Sequence, residues 1–283
     1  MPNAGRTKQE ILLSADTLTG EDRKTVDRNS TVAVGGPYLS IVVPAYNEER
    51  RLGASLKRML AYFDTQSYTF EILVVNDGSS DGTCSVVETI SGCRPEVQLL
   101  SYEKNQGKGY AVRYGMLQAQ GTRVLFSDAD LATPIEEVEK LLERLEQGAD
   151  VAIGSRDVKG SELVQRESVL RELGGRAFNK LVQLLTVHGI HDTQCGFKMF
   201  TQSACHKIFS RCVINDFAFD VEALYIATRV LHLRVEEVPI RWAHQAGSKI
   251  SPIRDGLRMV RTVFRIRINR YDTAVSPAEY PTR

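Results

Sequence analysis

The sequence predicts an α/β fold, with a mostly parallel sheet and helices on both of its faces. Short apolar runs typical of buried strands alternate with segments in which apolar residues recur at helical spacing. The connections are short, and polar or glycine-rich clusters follow successive apolar runs. This alternation is typical of right-handed crossover units, whose ligands bind at the carboxyl edge of the sheet.

Five apolar runs predict the strands of the first half of the chain. They are Leu39–Val43, Glu71–Val75, Val97–Ser101, Arg123–Ser127 and Asp150–Ile153. A segment with helical spacing follows each of the first four. The first segment contains Leu52 to Phe63, and the second begins after Thr83. The third runs up to Ala119, and the fourth covers Pro134–Glu146.

The alternation becomes irregular after residue 157. The pattern predicts helices over Leu170–Thr186 and Phe217–Leu231, and a strand over Leu233–Trp242. Between them, residues 192–200 have the pattern of a loop that enters a strand. No linker separates this part from the first, so we expect its elements to extend the same sheet.

The composition is that of an ordinary globular protein. The 283 residues, 42% hydrophobic and 25% charged, suffice for one large domain, which we expect over 38–271, between a flexible polar leader (1–37) and a tail (272–283). A net charge of +1 gives no reason to expect a nucleic-acid partner. Five cysteines without a CxxC pair fit a reducing compartment. No apolar run reaches the roughly 20 residues that span a bilayer, and the N-terminal residues lack a signal-peptide core, so a soluble or peripheral protein is expected.

Two carboxylates one residue apart, Asp128 and Asp130, end the fourth apolar run. Alternate side chains of a strand share one face, so both acids are expected to point the same way at the carboxyl edge. Hard oxygen donors there suit Mg²⁺ or Mn²⁺, which binds one or two carboxylates together with substrate phosphates. The alternative is a helix start, because Asp before Thr133-Pro134 is also a good cap.

Three polar clusters follow the first three predicted strands. Tyr46 and Glu48 after the first, and Asp77 after the second, have the positions expected for the walls of a nucleoside pocket. The cluster around Asp77 is equally typical of a turn with a helix cap. Lys108, at a helix start, suits a phosphate or a carboxylate, although neither GxGxxG nor the P-loop pattern is present.

Cations and acids of the second half are further candidates. Arg156, Lys198, Arg241 and Lys249 are predicted in or beside loops, where arginine binds phosphate as a fork and lysine as a point charge. Asp220 and Glu222 are two residues apart in a predicted helix and therefore do not share a face. We expect that one of the two acids enters the site while the other pairs with a cation.

The segment Arg254–Tyr271 combines six arginines with one acid and regularly spaced apolar residues. A basic amphipathic helix of this kind suits a membrane interface, where arginines meet anionic headgroups. The alternative is a helix packed on the body of the domain with a solvated charged face.

Together these strings resemble family 2 glycosyltransferases with a GT-A fold. Residues 44–49, 76–83, 105–109 and 128–130 have the order and spacing of that family. Residues 192–198, 219–222, 247–249 and 254–255 narrow the resemblance to its polyprenyl-phosphate (dolichyl-phosphate) β-glucosyltransferase branch. The match covers roughly residues 39–270, and the combination is specific although each string alone is weak.

The resemblance implies an inverting transfer of glucose from UDP-glucose to a polyprenyl or dolichyl phosphate, with Mg²⁺ or Mn²⁺ as cofactor. It divides the domain into a nucleotide-sugar half (38–156), an acceptor half (157–253) and a basic amphipathic helix (254–271). The enzyme would be cytoplasmic and peripheral, on the cytosolic face of a membrane. No catalytic histidine is required, because the acceptor phosphate is already anionic near neutral pH.

The same resemblance implies residue roles. Asp130 and Asp128 would hold the metal, and Gln194 and Asp220 would join them in the catalytic site. The acceptor phosphate would contact Arg156 and Lys198. The nucleotide sugar would contact Pro44, Tyr46, Glu48, Asp77, Lys108, Asp128 and Lys249.

Two departures from the family leave alternatives open. The mannosyl branch has Gln two residues after the second acid, whereas this chain has Ala132, which favours glucose. Relatives carry membrane anchors or helices that this sequence lacks, which leaves Arg254–Tyr271 as the membrane-facing element or places a lipid acceptor in doubt. The alternative interpretations are a different donor such as GDP-mannose, a soluble acceptor, a non-catalytic binding protein and a nucleotidyltransferase.

Overall fold

A computed structural model of the chain describes residues 36–165, 186–187, 189–243 and 261–271. The predicted helix Leu170–Thr186, except for its last residue, lies outside these ranges, as do Lys249, the tail and nearly all of the leader. Within the described ranges, no helix is long and apolar enough to cross a membrane.

In the described ranges, nine strands form one seven-stranded sheet and one two-stranded sheet. They are β1 Leu39–Ala45, β2 Phe70–Asp77, β3 Val97–Tyr102, β4 Arg123–Ser127, β5 Val151–Ser155, β6 Glu162–Gln165, β7 Phe197–Thr201, β8 Val235–Pro239 and β9 Arg241–Ala243. The large sheet has the order β3-β2-β1-β4-β7-β5-β8, and only β7 runs antiparallel to its neighbours. The mostly parallel sheet is therefore confirmed. Chain order reverses between β1 and β4, where open α/β sheets bind their ligands.

Among the residues that the structure describes, six α-helices with defined bounds and one C-terminal helical segment cover the sheet. They are α1 Leu52–Phe63, α2 Thr83–Ser91, α3 Lys108–Gln118, α4 Val138–Glu146 with a preceding 3₁₀ turn Ile135–Glu137, α5 Gln202–Phe209, α6 Phe219–Tyr225 with a following π turn Ile226–Val230, and the C-terminal helical segment, residues 261–268. The sequence predicted the first four and α6, but not α5.

Helices lie on both faces of the sheet, as the sequence predicts. Alternate residues of β1 enter different cores, since Ile41 and Val43 face one side and Val42 faces the other. The first core contains residues of α1, α2 and α4. The second contains residues of α3, α5, α6 and the C-terminal helical segment, including the fully buried Val263 and Ile266.

The structure corrects the predicted strand over Leu233–Trp242. The segment is divided into β8, at the edge of the large sheet, and β9, which pairs with β6 in the small parallel sheet. Pro239 ends β8, where a residue without an N–H is tolerated. After the break, β9 contacts the turn that follows the acid pair, where the Ala243 N–H donates to the Ala132 carbonyl over 2.9 Å.

Candidate active site

The loops that follow β1 and β2 are bonded to each other. The Asn47 N–H donates to Ser79 Oγ over 2.9 Å, and the Ser80 N–H donates to Asn47 Oδ1 over 2.8 Å. The Glu48 N–H donates to Thr83 Oγ1 over 2.8 Å. Asn47 has a positive φ of 53°, which asparagine tolerates better than most residues. These bonds fix one wall of the site.

Asp77, for which a nucleoside contact stays a prediction, binds the loop that precedes α3. Its carboxylate accepts from the N–H of Gln106 over 2.7 Å, from Asn105 Nδ2 over 2.9 Å and from the Gly107 N–H over 3.1 Å. Burial raises the pKa of this carboxyl, although the three donors oppose the shift. With the residue only 3% exposed, Asp77 positions the N-terminal end of α3.

Of the three other candidates on this wall, Pro44 lies within β1, and Tyr46 and Glu48 follow it. Pro44 is a buried strand residue, whereas Tyr46 is 41% exposed at the edge. The Glu48 carboxylate forms a two-point ion pair with Arg51, in which Arg51 Nη2 donates to Oε1 over 2.8 Å. Arg51 Nη1 is also 3.8 Å from Asp130 Oδ2. Arg51, which the sequence analysis missed, therefore links this wall to the acid pair.

Asp128 and Asp130 lie in the turn directly after β4, not within the strand. The Asp128 N–H donates to the Gly196 carbonyl over 3.0 Å, and a Cβ on Gly196 would lie 1.9 Å from Asp128 Oδ2. Asp130 Oδ1 accepts from the Ala132 N–H over 3.1 Å. Leu131, which lies between Asp130 and Ala132 in the sequence, has a φ of +50°. The turn holds both acids at the carboxyl edge of the sheet, as predicted, but by a different local structure.

Lys108, the first residue of α3, forms an ion pair with Asp128. The Nζ–Oδ1 distance is 2.6 Å, and the ammonium also lies 5.5 Å from the centre of the Phe126 ring. Burial alone would lower the pKa of Lys108, but the carboxylates of Asp128 and Asp220 outweigh it and raise the pKa. The structure thus brings a predicted phosphate ligand and a predicted metal ligand into direct contact.

The acid pair fits a divalent cation. Burial raises the pKa of the Asp130 carboxyl, and the neighbouring Asp128 charge raises it further. A second positive group beside the two acids would relieve this unfavourable concentration of negative charge. Two carboxylates at a sheet edge belong to the oxygen donors that Mg²⁺ or Mn²⁺ prefers, with substrate phosphates as further ligands.

Lys198 and Asp220 form a buried ion pair behind the acid pair. Lys198 lies within β7 and not in a loop, is 1% exposed, and its Nζ is 2.6 Å from Asp220 Oδ1. The ammonium also donates to the Cys195 carbonyl. Burial raises the pKa of Asp220 despite the opposing lysines. Of the two acids in α6, Asp220 thus pairs with a cation, whereas Glu222 binds the backbone of residues 213–214 and the Tyr271 hydroxyl.

Arg156 is held by Asp192, a residue to which the sequence analysis gave no role. The Asp192 carboxylate, fully buried, accepts from Arg156 Nε over 2.7 Å, from Nη2 over 2.9 Å and from the backbone N–H over 3.0 Å. Burial would raise the pKa of Asp192, but the Arg156 charge outweighs it and lowers the pKa. The guanidinium lies over the Trp242 ring at 5.3 Å.

Trp242 and Gln194 lie next to the Arg156–Asp192 pair. Trp242 lines a narrow cleft with Asp128, Ala132 and Gly196. The Gln194 N–H donates to Asp192 Oδ1 over 3.3 Å, while its side-chain Nε2 is buried and has no hydrogen-bond partner in the described ranges. An unsatisfied buried donor of this kind suits a polar ligand. Arg241 lies outside the site, paired with Glu137.

Comparison with known proteins identifies relatives of the whole domain. The family model described as "Glycosyl transferase family 2" matches residues 40–209. The dolichyl-phosphate beta-glucosyltransferase of Drosophila melanogaster is 40% identical over 279 residues, 94% of this chain and 84% of the relative. The enzyme of the same name from Homo sapiens is 38% identical, covering 83% of this chain and 76% of the relative. The Saccharomyces cerevisiae enzyme is 34% identical, with coverages of 82% and 74%.

Solved structures share the fold. Glucosyl-3-phosphoglycerate synthase from Mycobacterium tuberculosis, crystallised with Mn²⁺, UDP-glucose and phosphoglyceric acid, matches with a TM-score of 0.57 and 19% identity over 82% of this chain and 79% of that one. Mannosyl-3-phosphoglycerate synthase from Rubrobacter xylanophilus matches with a TM-score of 0.59 and 18% identity over 81% and 72%. These similarities confirm the predicted GT-A fold.

Gly196→Ala is expected to weaken divalent metal binding without unfolding the domain. The new methyl group would overlap the Asp128 carboxylate and force that side chain to rotate. We expect Mn²⁺ affinity, measured calorimetrically in the presence of UDP, to fall about 10- to 100-fold. Gly92→Ala is the control, because its Cβ would meet nothing closer than 3.4 Å. Unchanged Mn²⁺ affinity in Gly196→Ala would contradict the placement of Asp128.

Asp192→Asn is expected to lower the free energy of unfolding by about 2 kcal/mol, because Arg156 then loses its buried anionic partner. The value is below that of a fully buried pair, since the Arg156 side chain is 26% exposed. The control is Asp64→Asn, which breaks a two-point ion pair with Arg94 at a 52% exposed aspartate and should cost less than about 1 kcal/mol. The free energy of unfolding of both variants is measured by urea denaturation. Equal losses of this free energy would show that the buried pair is no more stabilising than the surface pair.

Proposed function

Because the chain belongs to glycosyltransferase family 2, we propose that it transfers glucose from UDP-glucose to a dolichyl or other polyprenyl phosphate, with inversion at the anomeric carbon. One observation supports this most directly: Asp128, Asp130 and Lys108 meet at the carboxyl edge of the sheet, where chain order reverses. The curated relatives, with 34–40% identity over most of the chain, carry the dolichyl-phosphate glucosyltransferase name. The departure at Ala132 agrees with glucose as the donor sugar.

In this proposal, an oxygen of the acceptor phosphate attacks C1 of glucose. The C1–O bond to the diphosphate breaks, and its electron pair leaves with UDP. Asp130 and Asp128 would hold Mg²⁺ or Mn²⁺, which supplies neutralisation of the leaving diphosphate when bound. Lys108 adds a fixed positive charge beside them. The attacking phosphate is already an anion, so none of the chain's residues must remove a proton.

The remaining roles follow from the contacts. Pro44, Tyr46 and Glu48 form one wall of the nucleoside site, and Asp77 shapes it by holding the loop before α3. Lys198 neutralises Asp220 from within β7, which keeps the floor below the sugar charge-balanced. Gln194 offers its unpaired amide donor to the sugar or the acceptor. The roles of Lys249 with the donor and of Arg156 with the acceptor phosphate stay predictions.

The test is a product analysis with purified protein, Mn²⁺, UDP-glucose and a short polyprenyl phosphate. We expect glucosyl polyprenyl phosphate and UDP in equal amounts, and little product from GDP-mannose. Asp130→Ala should lower kcat by at least about 100-fold, because it removes one of two metal ligands, while circular dichroism stays unchanged. Pyrophosphate release, or transfer only to soluble acceptors, would contradict the proposal, and full activity of Asp130→Ala would contradict the metal site.

The C-terminal helical segment supports peripheral binding to the cytosolic face of a membrane. Its inner side packs on the domain through the buried Val263 and Ile266. On the outer side, Phe264 is 53% and Ile268 80% exposed, one helical turn apart, beside the exposed Arg261. Apolar side chains flanked by arginine suit an interface with anionic lipid. Both predicted alternatives for this segment therefore have support, each from a different side of the helix.

Replacing Phe264 and Ile268 together by serine is expected to weaken binding to vesicles that contain anionic lipid by at least about tenfold. Co-sedimentation measures the bound fraction. Lys57→Glu is the control, since Lys57 is exposed on α1, which packs on the opposite face of the sheet. Equal vesicle binding of the serine variant and the wild type would show that this segment has only a structural role.

A further inference from the structure

Trp242, the only tryptophan of the chain, lies between two parts of the site. The centre of its ring is 5.3 Å from Cζ of Arg156, the cation predicted to bind the acceptor phosphate. The same side chain lines the narrow cleft beside Asp128, Ala132 and Gly196. One aromatic ring thus borders both the predicted acceptor cation and the turn that holds the acid pair.

The Arg156 guanidinium is held along one edge and on one face. At the edge, Nε and Nη2 donate to the buried Asp192 carboxylate over 2.7 and 2.9 Å. The Trp242 ring covers the face, at a distance at which a cation is attracted to an aromatic ring. The carboxylate fixes the position of the edge, and the ring restricts the tilt of the guanidinium plane.

Pairing with Asp192 does not use all the donors of Arg156. A guanidinium has five N–H donors, and the two side-chain hydrogen bonds to Asp192 use one at Nε and one at Nη2. Three donors are left for other acceptors, two of them at Nη1, on a side chain that is 26% exposed. A planar set of parallel N–H donors is the geometry with which arginine binds phosphate as a fork.

We propose that Trp242 is a positioning residue for the acceptor phosphate. Its ring holds the Arg156 guanidinium in one plane, so that the remaining N–H donors keep a fixed direction toward that phosphate. This inference rests on the proposed function and on the predicted role of Arg156. It adds a residue to which the sequence analysis gave no role, and Trp242 acts through Arg156 rather than on the reacting atoms.

The backbone of β9 links the ring to the turn that holds the acid pair. Directly after Trp242, the Ala243 N–H donates to the Ala132 carbonyl over 2.9 Å. The ring therefore has a set distance from that turn, and through the ring Arg156 does as well. In an inverting transfer, the acceptor phosphate attacks C1 on the side opposite the leaving diphosphate, and a displacement of about 1 Å can greatly lower the rate. A rigid link between the two anion sites meets this requirement.

Packing is the alternative explanation for an aromatic residue at this position. Trp242 contacts the first apolar core, and Leu163 of β6 lies beside it in register across the small sheet. Any apolar side chain of suitable size would serve that packing, whereas only an aromatic ring attracts a guanidinium to its face. Substitution by leucine and by phenylalanine therefore separates the two roles.

Trp242→Leu and Trp242→Phe form the test pair, since phenylalanine keeps an aromatic face and leucine does not. Initial rates are measured with Mn²⁺, UDP-glucose and a short polyprenyl phosphate in detergent without vesicles. Trp242→Leu should raise the acceptor KM about tenfold, whereas Trp242→Phe should stay within about threefold of the wild type. The UDP-glucose KM should be unchanged in both variants, because the bond from Ala243 to Ala132 joins backbone atoms.

Tyr110→Leu is the matched control. It removes an aromatic ring that lies 5.2 Å from another guanidinium, that of Arg113, beside the second core. Its acceptor KM should equal that of the wild type, and thermal unfolding of all three variants shows that they are folded. The inference is overturned if Trp242→Leu keeps the wild-type acceptor KM, if Trp242→Phe loses as much as Trp242→Leu, or if Tyr110→Leu shows the same rise. Glucose transfer by the wild type leaves the proposed function standing in each case, and a wild type without such transfer overturns both.

The fluorescence of Trp242 gives a measurement that does not depend on turnover. Because the chain has a single tryptophan, its tryptophan emission reports on this position alone. Short polyprenyl phosphate, added to the full chain without UDP-glucose, should change the emission saturably, and the uncharged polyprenol should not. Arg156→Gln should abolish the change. An emission that polyprenyl phosphate leaves unaltered, or that polyprenol alters equally, would contradict an acceptor phosphate at the pair of Arg156 and Trp242.

Discussion

The ion pair between Lys108 and Asp128 is the interaction on which the arrangement of the site depends. It joins the start of α3 to the turn after β4, two elements of different crossover units, over 2.6 Å. Both partners are held from behind: Asp77 fixes the loop before Lys108, and the missing side chain of Gly196 leaves the space that the Asp128 carboxylate occupies. The position of the ion pair is therefore set by backbone contacts rather than by the flexible lysine.

Charge compensation extends outward from that ion pair. Lys198 balances Asp220, and Arg156 balances Asp192. Asp192 and both members of the Lys198–Asp220 pair are buried, so solvent does not stabilise their charges. Such pairs contribute little net stability, but the loss of one partner leaves an expensive buried charge. These pairs keep acids and cations in fixed positions at the carboxyl edge of the sheet. Without the cations, the acids would repel anionic substrates and their buried charges would be unpaired.

The strand and helix order of the first half could be predicted because buried parallel strands and their covering helices leave strong apolar periodicities. The acid pair was placed correctly at the carboxyl edge for the same reason. Three features could not be predicted. Lys198 was expected in a loop because its charge hides its place in β7, where Asp220 compensates it. The contact of Arg51 with Asp130 and that of Asp192 with Arg156 join residues that are far apart in sequence. The division into β8 and β9 depends on pairing with β6, which has no clear strand pattern of its own.

The ion pairs within the site also determine how a charged substrate can bind. Lys108 and Asp128, taken together, present little net charge to a diphosphate, so Lys108 becomes fully available to phosphate only when Asp128 has another cation as partner. Asp130, whose pKa is raised by burial and by Asp128, is the residue that gains most from such a cation. Binding of donor and cation should therefore be mutually dependent, since each relieves a charge that the other leaves unbalanced.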